Sequence, residues 1–119
     1  MRLPLKPETR AAMLRALVGV VADAKGTAHH LSRFEIPMGG KTGTAQVVSL
    51  GSRCVGQSCE DHAWFVGFAP AESPKIVVAV LVENGGHGSS AAAPLAGEIM
   101  KAYLNSLRGN DATQMAHKF

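Results

Sequence analysis

The chain has 119 residues, a hydrophobic fraction of 46% and a formal net charge of +3, which is enough apolar chain for one core, too much for a disordered segment, and room for one domain at most. Its Lys and Arg residues are scattered with no basic run, which argues against nucleic acid as a partner. No apolar stretch reaches the roughly 18 residues of a membrane span, and the N-terminus lacks the apolar core of a signal peptide.

The first predicted element is a helix. Pro7 suits its first position, Glu8 its first turn, and Met13, Leu14, Leu17, Val18 and Val21 recur at three- and four-residue spacing, so the stripe predicts a core helix stopped by Lys25 and Gly26. Residues 27–38 read as a connector carrying His29 and His30. Adjacent histidines can ligate a metal, but without a nearby cysteine or carboxylate pair they read as surface residues. Pro37 biases Ile36 towards an extended backbone and so stiffens the approach to the next segment.

That segment, Ile36–Ser49, reads IPMGGKTGTAQVVS. Thr44, Val47 and Val48 favour a strand, in which Thr42 and Thr44 share a face while Gly43 leaves the backbone between them bare. Lys41 adds a cation to two hydroxyls, a set suited to gripping the carboxylate of an extended peptide paired along the strand edge. Gly-Lys and Thr-Gly pairs are also ordinary turn chemistry. Gly40-Lys41-Thr42 imitates the end of a P-loop, but that motif requires a glycine where Glu35 stands and a helix where a strand is predicted.

Leu50–Glu60 is predicted as a loop. Asp61–Ala69 alternates with both faces largely apolar, which predicts a strand buried on two sides, with His62 structural rather than a catalytic base and Trp64 in the core. Pro70–Pro74 is a short turn, so Lys75–Glu83 (KIVVAVLVE) should return antiparallel, buried on both faces and with a long, proline-free edge through which the chain is expected to self-associate. Glu83–Gly88 reads as a flexible glycine-rich turn, with Asn84 and His87 as turn residues before site residues. Ser89 or Ser90 should cap a last helix whose stripe is Leu95, Ile99, Met100, Tyr103, Leu104 and Leu107, with Pro94 in its permissive first turn. Gly109–Phe119 has no periodicity and is expected to be a disordered tail. The predicted fold class is therefore α+β: helix, three-stranded antiparallel meander, helix, with one helix on each face of the sheet.

The runs GGKTGTAQVV, DHAWFVGFAP and IVVAVLVENGG, with Gly26-Thr27-Ala28 upstream, closely resemble the end of the transpeptidase domain of class B penicillin-binding proteins. The resemblance spans about Leu3–Leu107. It implies that residues 1–108 are the C-terminal portion of a transpeptidase domain of the β-lactamase/transpeptidase-like fold, cross-linking peptidoglycan stem peptides by serine acyl transfer and binding β-lactams. The two companion signatures, S-x-x-K and S-x-N, are absent: no serine here has a lysine three residues later or an asparagine two residues later. An isolated chain of this kind is expected to be inactive, with the missing N-terminal part of the domain as its partner. A membrane anchor outside the chain and a location at the periplasmic face of the bacterial inner membrane are implied likewise.

By matching motif positions, Lys41 and Thr44 are the candidate catalytic residues, and Thr42, Gly43 and Thr44 the candidate substrate contacts. No cofactor or metal is implied. A periplasmic location permits a disulfide between Cys54 and Cys59, free thiols being the alternative, while a zinc set completed by Asp61 and His62 matches no common ligand spacing. A serine β-lactamase or D,D-carboxypeptidase shares the K-T-G strand, and a non-catalytic penicillin-sensing module is the third reading.

Overall fold

The computed structural model describes residues 1–116. Helix α1 spans Pro7–Ala22, a 3-10 helix His29–Phe34, strand β1 Gly39–Ala45, a 3-10 turn Gln57–Cys59, β2 His62–Ala69 and β3 Ile76–Val82. A π-helical turn, Gly88–Ala92, then leads into α2, Ala93–Ala116. The strands form an antiparallel meander in the order β1-β2-β3, as predicted.

Register decides the faces. Gly40, Thr42 and Thr44 stand opposite Gly67, Phe65 and Ala63, which in turn stand opposite Val78, Val80 and Val82, so these residues share one face. On that face Phe65 is wholly buried together with Met38, Leu31 and Met100. Side chains of this size contribute roughly 1.5–3 kcal/mol each when taken out of water. Gly40 has no room for a side chain: a Cβ there would lie 2.5 Å from the Phe65 ring and 2.6 Å from Val66 O. The paired glycines before the lysine therefore let an aromatic ring close over the start of β1.

Helix α2 packs on β2 and β3, whereas α1 packs on β1 and the 3-10 helix. The expected helix on each face is thus replaced by one covering helix and one helix lining the β1 margin. The opposite face of β2 and β3 is open. Trp64, Val66, Val77 and Leu81 are exposed on it, Val77 by 69%, so neither β2 nor β3 is buried on both sides and Trp64 is not a core residue. Continuous apolar sequence signals two faces that need cover, and this chain supplies cover for one.

Four further expectations are corrected. Met13 is 50% exposed and only Val21 of the α1 stripe is buried. The 27–38 connector is no mere link, because Ala28, Leu31, Phe34 and Met38 enter the core. In α2 Met100 and Leu104 of the expected stripe do pack on the core, but the small residues Ala93 and Ala96 join them there, while Leu95, Ile99 and Tyr103 are exposed. The expected disordered tail is helical as far as Ala116, and residues 117–119 lie outside the described residues. One glycine costs a helix only about 1 kcal/mol, and an established helix propagates past it. Here Thr113 Oγ1 also donates to Gly109 O at 2.9 Å.

Candidate functional site

Strand β1 has β2 on one side only, so among the described residues its other edge is unpaired. Lys41, Thr42, Gly43 and Thr44 all lie on it. The register puts Thr42 and Thr44 on one face and Lys41, opposite Val66, on the other. Because the strand is an edge, groups from both faces reach the same margin.

Lys41 is exposed and its Nζ donates to Thr42 O at 2.7 Å. Thr44 is exposed and Thr42 is half-buried, with its Oγ1 3.1 Å from Thr27 Oγ1. Beside them an open cleft is lined by Gly19, Val20, Asp23, Lys25, Thr27 and Lys41. The margin thus presents an ammonium, three hydroxyls and free backbone groups, a donor-rich strip fitted to an anionic, extended ligand. No helix follows β1, which disposes of the P-loop imitation.

The strip is held from behind. Gly88, at the head of the π-helical turn, lies against the backbone of Gly43 and Trp64: a Cβ there would overlap Trp64 O and come within 2.5 Å of Gly43 O and 2.9 Å of Gly43 N. Only a residue without a side chain lets the turn seat on β1 at this depth.

Asn84 fixes the next corner. With φ 49° it donates its backbone N–H to His62 Nδ1 at 2.9 Å, and its Nδ2 to Ser58 O at 3.1 Å and Glu60 O at 2.8 Å. Gly86 N–H donates to Asp61 O at 2.9 Å. The expected flexible turn is therefore a pinned one, since a short amide that tolerates a left-handed backbone can tie the β1–β2 loop to the end of β3. Asp61 Oδ1 accepts the Val47 N–H at 3.3 Å. That contact draws residue 47 out of the ladder, and β1 ends at Ala45 although Val47 and Val48 suit a strand.

Cys54 and Cys59 are joined as a disulfide with Cα atoms 5.8 Å apart, so neither thiolate is available to the zinc set. The Nδ1 of His62 serves Asn84. His29 Nδ1–H donates to Val21 O at 3.0 Å, and His30 is exposed. Among the described residues no group of His, Cys, Asp or Glu is arranged to hold a metal, and no helix is long and apolar enough to cross a membrane. Sequence reasoning missed Thr27 and Gly88 as parts of the site. Their only signal was adjacency to short motifs, because the contacts that matter join positions 15 and 45 residues apart.

Comparison with known proteins identifies the family. Residues 1–101 match the model of the penicillin binding protein transpeptidase domain. The chain is 43% identical over 98 residues to the peptidoglycan D,D-transpeptidase MrdA of Haemophilus influenzae, a match covering 76% of this chain and 15% of that protein. It superposes on penicillin-binding protein 2 of Pseudomonas aeruginosa, solved in complex with WCK 5153, with a TM-score of 0.72 and 40% identity over 87% of this chain and 20% of that one. An acyl-enzyme complex of penicillin-binding protein A from Mycobacterium tuberculosis gives a TM-score of 0.66 at 30% identity, covering 86% and 22%. The chain therefore spans about a fifth or less of the proteins it resembles. On the matched residues, the shared fold and the K-T-G strand at its open edge, the chain belongs to the penicillin-binding protein transpeptidase family.

Proposed function

We propose that this chain is the C-terminal wall of the active site of a peptidoglycan D,D-transpeptidase of the penicillin-binding protein 2 type. The observation that carries the reading is the unpaired edge of β1, where Lys41, Thr42 and Thr44 converge on one margin. In the complete enzyme a serine hydroxyl attacks the carbonyl preceding the terminal D-alanine of a stem peptide. The C–N bond breaks, D-alanine leaves with a proton, and an acyl-enzyme remains. The amine of a second stem peptide then displaces the serine oxygen and forms the cross-link. A β-lactam acylates the same serine by opening its ring amide.

In this scheme Thr42 and Thr44 hold the donor's terminal carboxylate, or the carboxylate of the antibiotic. Lys41 lies beside the S-x-N serine supplied by the rest of the domain and raises the positive potential there. The Thr44 backbone N–H donates to the developing oxyanion, a contact of the type whose loss costs about 3 kcal/mol of transition-state stabilisation. Fixed donors and a cation facing developing negative charge favour the transition state over the neutral substrate carbonyl. The cycle runs at the periplasmic face of the bacterial inner membrane, where its stem peptides lie.

The nucleophile is not among these residues, so the chain by itself forms no acyl adduct. Incubation with a fluorescent penicillin should leave the isolated chain unlabelled, and a portion carrying S-x-x-K and S-x-N, mixed with it, should become labelled. A stoichiometric adduct on the chain alone, seen by intact-mass spectrometry, would contradict the proposal.

In isolation the chain also self-associates through β3. Among the described residues Ile76–Val82 has β2 on one side only and an open apolar face. Two copies paired antiparallel about Ala79 bring Lys75 of one opposite Glu83 of the other, so the charges at the strand ends complement each other. Sedimentation at high concentration should show dimers, and a clean monomer would count against this.

A further inference from the structure

In the 3.1 Å contact between Thr27 Oγ1 and Thr42 Oγ1 either hydroxyl can donate, and a carboxylate bound at Thr42 would fix the direction. A hydroxyl carries one hydrogen and two lone pairs, whereas a carboxylate only accepts. When Thr42 meets a carboxylate it must donate its single proton to it. The proton in the Thr27–Thr42 contact must then come from Thr27, and Thr42 receives it on a lone pair.

The backbone holds Thr27 in place for this. Gly26 N–H donates to Asp23 O at 2.8 Å, Ala28 N–H to Val20 O at 3.0 Å and His29 N–H to Gly26 O at 3.1 Å. Ala28 is wholly buried while Thr27 is exposed. The residue is therefore anchored on both sides, with its hydroxyl on the wall of the cleft that also holds Lys25 and Lys41.

We propose that Thr27 is a positioning residue that donates to Thr42 and so commits the Thr42 proton to the carboxylate of the acyl donor, selecting carboxylate-bearing ligands over carboxylate-free ones. A donated hydrogen bond also polarises the acceptor hydroxyl and strengthens the bond it gives onward. The inference rests on the reading of Thr42 as a carboxylate contact, and the test separates the two.

The complete transpeptidase domain is acylated with benzylpenicillin and with its methyl ester, and each rate is resolved into a dissociation constant and a limiting acylation rate. Thr27→Val should weaken benzylpenicillin binding roughly five- to tenfold, the size of one hydrogen bond's net contribution. It should leave the limiting rate and the ester unchanged. Thr27→Ala, which removes the hydroxyl without a new methyl group, should behave alike, and Thr27→Ser should restore the preference. Thr42→Val should reduce it at least as far as Thr27→Val does, Thr44 remaining as the second contact. If Thr42→Val leaves the preference for the free acid intact, the carboxylate reading falls and this inference with it. If Thr42→Val reduces the preference while Thr27→Val and Thr27→Ala retain it in full, the inference alone is overturned. It is likewise overturned if the Thr27 variants weaken both ligands equally, because a purely structural role acts on both.

Discussion

Replacing Gly88 by alanine probes the link between the rear of the site and its chemistry. The new methyl group has no side chain to push aside, because all three atoms in its path are backbone: Trp64 O, Gly43 O and Gly43 N. Ordinary contact begins near 3.4 Å and Gly43 O would lie at 2.5 Å, so either the π-helical turn lifts or β1 bows outward by about an ångström. Overpacking of this kind costs about 1–3 kcal/mol. Gly43 stands between Thr42 and Thr44, and a misplacement of about 1 Å among positioning groups can cost on the order of a hundredfold in rate. We therefore expect Gly88→Ala, in the complete domain, to lower stability by about 2 kcal/mol and acylation by β-lactams by one to two orders of magnitude. Gly109→Ala is the control: it lies in α2 with nothing near its would-be Cβ, and should raise stability by about 0.5–1 kcal/mol without touching acylation. The assays are denaturant unfolding and stopped-flow acylation. If Gly88→Ala unfolds and acylates like the parent, the turn does not brace the strand and the reasoning fails.

Asn84→Ala removes two amide hydrogen bonds and puts alanine at φ 49°, which together should cost about 2–3 kcal/mol in denaturant unfolding. Asn84→Gly, which loses the same bonds and relieves the backbone, should cost about half as much, and equal losses would argue against this division. Replacing Cys54 and Cys59 by serine opens a loop closed over a sequence separation of 5, worth at most about 2 kcal/mol by loop entropy. A smaller loss is expected because Asn84 already orders the carbonyls on either side of Cys59, and a thermal melt with and without reductant measures it. Val77→Lys places a charge on the open face of β3, where Val77 is 69% exposed. It should convert the sedimenting dimer to monomer while leaving the circular dichroism of the chain unchanged.

What the sequence revealed was local. The alternation in β1 placed Thr42 and Thr44 together because strand geometry has a period of two whatever surrounds it, and the antiparallel return of β3 beside β2 followed from the short turn between them. Burial was legible only in part. Trp64, Val66, Val77 and Leu81 carry the composition of a face meant to be covered, yet the cover is not in these residues. No pattern within 119 positions could distinguish a face covered by this chain from one covered by another stretch of polypeptide.

The same distinction explains α2, where the expected apolar stripe divides: Met100 and Leu104 face the core, whereas Leu95, Ile99 and Tyr103 lie on the outer side. Close approach of a helix to a sheet selects small side chains, so Ala93 and Ala96 face the strands with Met100 filling the remaining gap, and Leu95, Ile99 and Tyr103 are left on the far side. Hydrophobicity alone ranks leucine above alanine and so gives no signal that Ala93 and Ala96 belong to the inner face. The exposed stripe of α2 and the open face of the sheet carry one implication. On the proposed function, the rest of a transpeptidase domain is what would cover these two apolar surfaces, since the chain spans about a fifth of its relatives. Apolar area of this kind is what would drive the separated portions to reassemble. Labelling by penicillin on mixing should therefore weaken when Ile99 or Leu81 is changed to a charged residue, although neither touches the K-T-G strip. Undiminished labelling in both variants would mean that neither surface meets the rest of the enzyme.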